Sequence, residues 1–271
     1  PELGWEIDLD DLESQIDEST AAIIINNPSN PCGSVFSRDH TLDILDVAAR
    51  YYIPIIADEI YEHMVFPGRT FHSLASLSRD VPILSCSGLT KRFLVPGWRM
   101  GWIIIHDRQN VLEKEVDKKG ASLSQPEDYR QQHADPRRTT CHSEEHAAKI
   151  LRRRHENDNS RAAYNCVTKI PGLKPIVPDG AMYMMVYIDL PCFPEFNSDL
   201  EFVQRLLMEE SVFCLPGQCF DYPSYMRLVI TVPVDMLEEA CQRIQEFCER
   251  HHYKTAENTQ RNNLATVDIP Y

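Results

Sequence analysis

Basic charge is scarce in this sequence. Its 27 lysines and arginines face 41 aspartates and glutamates, for a formal net charge of −14. That balance excludes a surface built for nucleic acid or for anionic lipid, since both need clustered cations. No apolar run approaches the roughly 18 residues of a transmembrane helix, so no membrane partner is expected. The 9 cysteines are odd in number and include no C-x-x-C pair, which argues against a disulfide framework. They read as reduced, mostly buried thiols in a cytoplasmic protein. His142 and His146 stand four apart beside Cys141, but no second ligand pair is present at a recognisable distance, so no metal is expected. There is no initiator methionine: Pro1 comes first, and the sequence reads as the carboxy-terminal part of a longer chain.

The residues present in quantity suit a globular fold, with 43% hydrophobic residues. Short apolar runs, each expected to be a strand buried on both faces, lie at Ala21–Ile25, Pro54–Ala57, Pro82–Cys86 and Met100–Ile105. Between the first two, Ser37 is a natural N-cap for a helix presenting Leu42, Leu45, Ala49 and Tyr52 on one face. Strand, helix, strand at this spacing predicts an α/β fold with a mostly parallel sheet.

The second half predicts a smaller α+β domain. Its strands are expected at Lys174–Val177, Ala181–Ile188, Val212–Leu215 and Met226–Val232, and its helices at Asp199–Glu210 and Asp235–His251. Asp235 and Glu238 have the spacing of a capping box. The expected division is a large domain over 1–165, a small one over 166–254, and a flexible tail over 255–271. The polar stretch 120–160 has almost no aliphatic residues and reads as loop or disorder.

Four motifs carry chemical interest: Asn27-Pro28-Ser29-Asn30-Pro31-Cys32-Gly33, Asp58-Glu59-Ile60-Tyr61, Gly88-Leu89-Thr90-Lys91-Arg92 and Gly97-Trp98-Arg99-Met100-Gly101. Alone, each reads as a turn, a helix start or a surface pair. Three of them lie just past the ends of buried runs, where open α/β sheets build their sites. Together they supply an amine for an imine, a carboxylate for a ring nitrogen and a cation for a phosphate.

In order and spacing these motifs resemble those of the fold-type I pyridoxal-phosphate-dependent aminotransferases, in which the lysine and arginine are eight residues apart, as Lys91 and Arg99 are. The resemblance implies pyridoxal 5′-phosphate as cofactor, with Lys91 as the imine lysine, Asp58 on the pyridine nitrogen, Tyr61 and Asn30 on the ring oxygen and Arg99 on the phosphate. It further implies Arg227 as the residue that binds the substrate carboxylate, a cis bond between Asn30 and Pro31, and a homodimer. Amino-acid and 2-oxo-acid substrates are implied with it, and the nearest branch is the one that moves the amino group of L-tyrosine to 2-oxoglutarate. A carbon–sulfur lyase on the same scaffold and an inert fragment are the alternatives. One departure is Gly88, at a position where related enzymes often carry a phosphate-binding serine. Ser85 and Ser87 are the possible substitutes.

Overall fold

A computed structural model of the chain describes residues 4–112 and 154–253. Its contacts divide it into two units, one of Pro1–Asn30, Ser34–Arg154 and Asp179–Ala181, the other of Pro31–Gly33, His155–Pro178 and Met182–Tyr271. The expected boundary at 165 falls inside a helix, and nearly all of that helix joins the second unit.

In the first unit, β1 (Ile23–Asn26), β2 (Ile55–Asp58), β3 (Ile83–Gly88) and β4 (Gly101–His106) form a sheet in that order. The first two pairings are parallel and the third is antiparallel, so the sheet is mostly parallel, as the apolar runs imply. Helix α1 (Leu9–Ser14) starts where the Asp8 carboxylate accepts the amides of Asp10 and Asp11. Helix α2 (Arg38–Arg50) connects β1 to β2, and the Ser37 hydroxyl accepts the His40 amide, capping it as expected.

One face of this sheet packs Ile23, Ile25, Ile55, Ala57 and Ile83 against Phe36, Ile44, Leu45, Ala48 and Leu74. At roughly 25 cal/mol per Å², each fully buried isoleucine contributes about 2 kcal/mol. Two expectations need correction. Neither the first nor the fourth strand is buried on both faces: Ile24 of β1 is 71% exposed and Ile103 of β4 58%, because among the described residues these faces have no matching layer of side chains. The buried face of α2 is His40, Thr41, Ile44, Leu45, Val47 and Ala48. Leu42 borders it, but Ala49 is exposed and Tyr52 lies beyond the helix end at positive φ. The face is set by which residues meet the sheet. The 3.6-residue period alone allows neighbouring faces.

In the second unit, an antiparallel sheet has the order β5 (Leu173–Pro175), β6 (Tyr183–Ile188), β8 (Tyr225–Val229), β7 (Leu215–Pro216). With it are helices α5 (Arg154–Val167), α6 (Asp199–Glu210) and α7 (Val234–His251), the α+β composition expected. Phe196, Phe202 and Phe247 form a ring cluster with centroids 5.1–5.8 Å apart. The expected capping box does not form: α7 begins after Pro233, without a side-chain cap, and Asp235 already lies within the first turn. Pro233 fixes the φ at the helix entry and displaces the start by one residue.

The polar stretch expected as loop lies outside the described residues as far as 153, as do Cys141, His142, His146 and the tail beyond Tyr253. From Arg154 onward the chain is helical, against expectation. The reason is a polar residue on the buried face: the Asn159 amide donates to the carbonyls of Ile230 and Val232, at 3.0 and 2.7 Å, and Ala163 and Val167 continue that face.

Candidate functional site

The parallel strands β1, β2 and β3 end side by side, and each leads into a turn carrying polar side chains. Register puts Asn26 opposite Asp58 and Asp58 opposite Cys86. These three side chains share the sheet face that Ile24 also occupies, opposite the core. Carboxyl ends of parallel strands are where such sheets bind ligands, because chain reversals there leave side chains and amides pointing out.

Asp58 is the last residue of β2, half-buried, and its carboxylate accepts the amide of Ile60 at 3.3 Å. Its backbone carbonyl accepts from the Asn27 amide and from the Asn26 side chain, both at 3.2 Å. The chain then turns: the Glu62 amide bonds the Glu59 carbonyl and the Met64 amide bonds that of Tyr61. Tyr61 therefore sits in hydrogen-bonded turns, with only 3% of its surface exposed. Lys91 reaches it from the helical turn α4 (Leu89–Arg92) after β3, with Nζ 5.6 Å from the Tyr61 ring centroid.

Glu59 performs a different task. Its carboxylate accepts the Leu74 amide at 3.0 Å and the Ser73 hydroxyl at 3.1 Å, capping the short helix α3 (Leu74–Leu77). Burial pushes its carboxyl above the usual carboxylate range, against the pull of those hydrogen bonds. Burial also raises the Cys86 thiol, and the neighbouring negative charges of Asp58 and Glu59 add to this.

Gly88 has a steric cause. A Cβ there would lie 2.7 Å from the Met100 carbonyl oxygen and 3.1 Å from the Gly101 Cα, so the serine found in related enzymes has no room. Of the two candidate substitutes, the Ser87 hydroxyl donates to Glu62 at 3.1 Å. Ser85 is buried on the sheet face opposite Asp58.

Arg99 ends a short 3-10 helix, Pro96–Trp98, in the left-handed region at φ 51°. It is exposed, and its guanidinium donates to the Pro96 carbonyl at 3.4 Å. Asn30 lies in the loop after β1, which is closed by the bond from the Phe36 amide to the buried Asn27 side chain and by that from the Ser29 amide to the Ser34 carbonyl. The cis peptide precedes Pro28, not Pro31: the motif holds two Asn–Pro bonds with the same preceding residue, so local sequence preference does not separate them.

Arg227 belongs to the second unit, on β8 opposite Met185 and Leu215. Its guanidinium is stacked between the rings of Tyr183 and Phe220, with centroids at 4.1 and 4.9 Å, which fixes its plane. Asp58, Tyr61 and Lys91 are thus gathered at one sheet edge, with Asn30 joined to that edge through Asn26. Sequence reasoning missed Asn26, Glu59, Glu62 and the two rings around Arg227. The signal for Asn26 was an amide ending an apolar run, one strand away from another such run ending in Asp58.

An amine, a carboxylate, a phenol and a guanidinium around the ends of parallel strands fit the donor set of a phosphorylated pyridine aldehyde. No group of three or more histidine, cysteine or acidic side chains suited to a metal exists among the described residues. No helix among them is long and apolar enough to cross a membrane.

The family profile described as aminotransferase class I and II matches residues 1–244. The sequence is 52% identical over 271 residues to tyrosine aminotransferase of Bos taurus, covering 96% of this chain and 58% of that protein. It is 51% identical to tyrosine aminotransferase of Homo sapiens, covering 96% of this chain and 57% of that one. Among solved structures, tyrosine aminotransferase from Leishmania infantum superposes with a TM-score of 0.77 at 34% identity, over 93% of this chain and 62% of that one. The chain therefore spans somewhat more than half the length of the curated relatives it matches.

Proposed function

The chain belongs to the class I and II aminotransferases, and from this we propose that it carries the lysine-bearing part of a pyridoxal-phosphate site that transfers the amino group of L-tyrosine to 2-oxoglutarate, giving 4-hydroxyphenylpyruvate and glutamate. The observation that carries the reading is the gathering of Asp58, Tyr61 and Lys91 at the carboxyl ends of β2 and β3, with Lys91 Nζ 5.6 Å from the Tyr61 ring.

When bound, pyridoxal phosphate supplies an electron sink for charge developing at the substrate's α-carbon. Lys91 would be the amine that holds the cofactor, and its free amine would carry the proton at that carbon. The Asp58 carboxylate, oriented by the Ile60 amide, holds a proton on the pyridine nitrogen. The Tyr61 phenol and the Asn30 side chain hydrogen-bond the ring oxygen, and Arg99 offers a guanidinium fork to the phosphate. The stacked guanidinium of Arg227 binds the substrate carboxylate, the flanking rings limiting its rotation. A homodimer and a cytoplasmic setting complete the proposal.

The test is a titration of the purified chain with pyridoxal phosphate, following the visible absorption band, with Lys91→Ala as control. A band that requires Lys91 and changes when tyrosine is added supports the proposal, and glutamate should then form from 2-oxoglutarate. Release of ammonia and pyruvate from a sulfur amino acid would instead identify the lyase, which relatives at about half identity do not favour. Absence of any Lys91-dependent band would leave the chain an inert member of the family.

A further inference from the structure

Asn26 ends β1 beside Asp58, and its side-chain amide has both ends in use. Its Nδ2 donates to the Asp58 carbonyl at 3.2 Å, and its Oδ1 accepts the Asn30 amide at 2.6 Å. A carbonyl on one side and an N–H on the other fix which end is which, so the amide plane has one orientation. The bond to Asn30 spans four residues and the bond to Asp58 spans 32, so one side chain ties the loop after β1 to the end of β2.

We propose that Asn26 is a positioning residue of the cofactor site: it holds the backbone of Asn30 in a set relation to that of Asp58, so that the groups on the two sides of the pyridine ring are placed together. The inference rests on the functional reading above and deepens it. Asn26 is not a catalytic residue, since its polar atoms are engaged with backbone and it acts through Asp58 and Asn30. The Asp58 carboxylate is held by the Ile60 amide. The Asn27 amide also bonds the Asp58 carbonyl while its side chain closes the loop on Phe36, so it supports the same junction through the backbone, whereas the Asn26 side chain bonds Asn30 itself.

The test uses Asn26→Ala and Asn26→Asp in the 271-residue chain. Asp keeps an acceptor for the Asn30 amide but turns an oxygen toward the Asp58 carbonyl, whereas Ala removes both bonds. Amide hydrogen exchange is read first, without cofactor. Asn30 should exchange about tenfold faster in Asn26→Ala and stay protected in Asn26→Asp. With pyridoxal phosphate, both variants should bind about tenfold more weakly and shift the pH midpoint of the Lys91-dependent band, while circular dichroism stays that of the parent.

Unchanged Asn30 exchange in Asn26→Ala overturns the proposal, as does a parent-like affinity and band midpoint in both variants. If Asn26→Ala does not fold, the Asn26→Asp affinity and midpoint decide alone. If the parent itself gives no Lys91-dependent band, the functional reading falls and the positioning role with it. A parent band with indifferent variants removes the positioning role only.

Discussion

Lys91 holds its Nζ 5.6 Å from the centre of the Tyr61 ring, although the two arise from turns after different strands. The ring is almost wholly buried, so it serves as a wall for the lysine as well as a carrier of the phenol. Tyr61→Phe should keep the wall and lose the hydroxyl. We expect stability within about 1 kcal/mol of the parent and pyridoxal-phosphate affinity lowered about tenfold. Tyr61→Ala should cost about 3 kcal/mol by emptying a packed site. Thermal denaturation and cofactor titration of both variants separate the roles, and equal affinity in Tyr61→Phe would remove the phenol from the ring oxygen.

Glu59 gives a pH dependence of one sign. Burial raises its carboxyl in the folded state, so the folded chain binds this proton more tightly than the unfolded one. The stability tied to that proton is fully present below the unfolded value and is lost as pH rises through the folded value. Relative to Glu59→Gln, the parent should therefore become less stable as pH rises above the ordinary glutamate value of about 4. Urea denaturation at a series of pH values upward from there checks the slope, and a flat difference would refute it. Glu59→Ala should cost about 2 kcal/mol at about pH 4, since it uncaps Leu74 and Ser73, and less as pH rises.

At the end of α7 the sign is opposite. The His251 ring lies between Glu195 and Glu209, with each ring nitrogen 3.0 Å from a carboxylate oxygen. The hydrogen bond with His251, ahead of those from Arg250, holds the Glu209 carboxyl below its usual range. That stability is present above the unfolded value and is lost as pH falls through the folded one. Acid denaturation of Glu209→Gln should show a shallower loss below about pH 4 than the parent. At neutral pH the variant should differ by no more than about 1 kcal/mol, because the carboxylate is solvated.

Placing a serine at Gly88 should fail on steric grounds. Gly88→Ser sets a Cβ against the Met100 carbonyl, and we expect a loss of about 1–3 kcal/mol in chemical denaturation. A variant as stable as the parent would mean that β4 shifts away at little cost.

Much of the scaffold is legible in the residues themselves. The apolar runs Pro54–Ala57 and Pro82–Cys86 have turn signals behind them and coincide with β2 and β3 to within two residues, and the helix at Asp199–Glu210 has the bounds its pattern predicts. The features that escape depend on partners distant in sequence. The burial of one face of β1 depends on what covers it, and the helicity of Arg154–Val167 rests on an asparagine whose acceptors lie 71 and 73 residues away. Motifs in a fixed order pointed to Lys91, Asp58, Tyr61 and Arg99 as residues of interest. Asn26, which bonds Asp58, and Glu59 and Glu62, which bond Leu74, Ser73 and Ser87, are ordinary residues whose neighbours only the fold supplies.

The connection from Gly88 to Gly101 is pinched shut at its base, where those two residues pair and the Leu89 amide bonds the Met100 carbonyl. Both Lys91 and Arg99 lie between these points. The segment is thus a cassette with a single neck. A residue inserted or deleted inside it would change the distance between amine and guanidinium while leaving the strand register outside untouched. Transplanting this loop between relatives should therefore retune cofactor grip independently of the sheet that carries it.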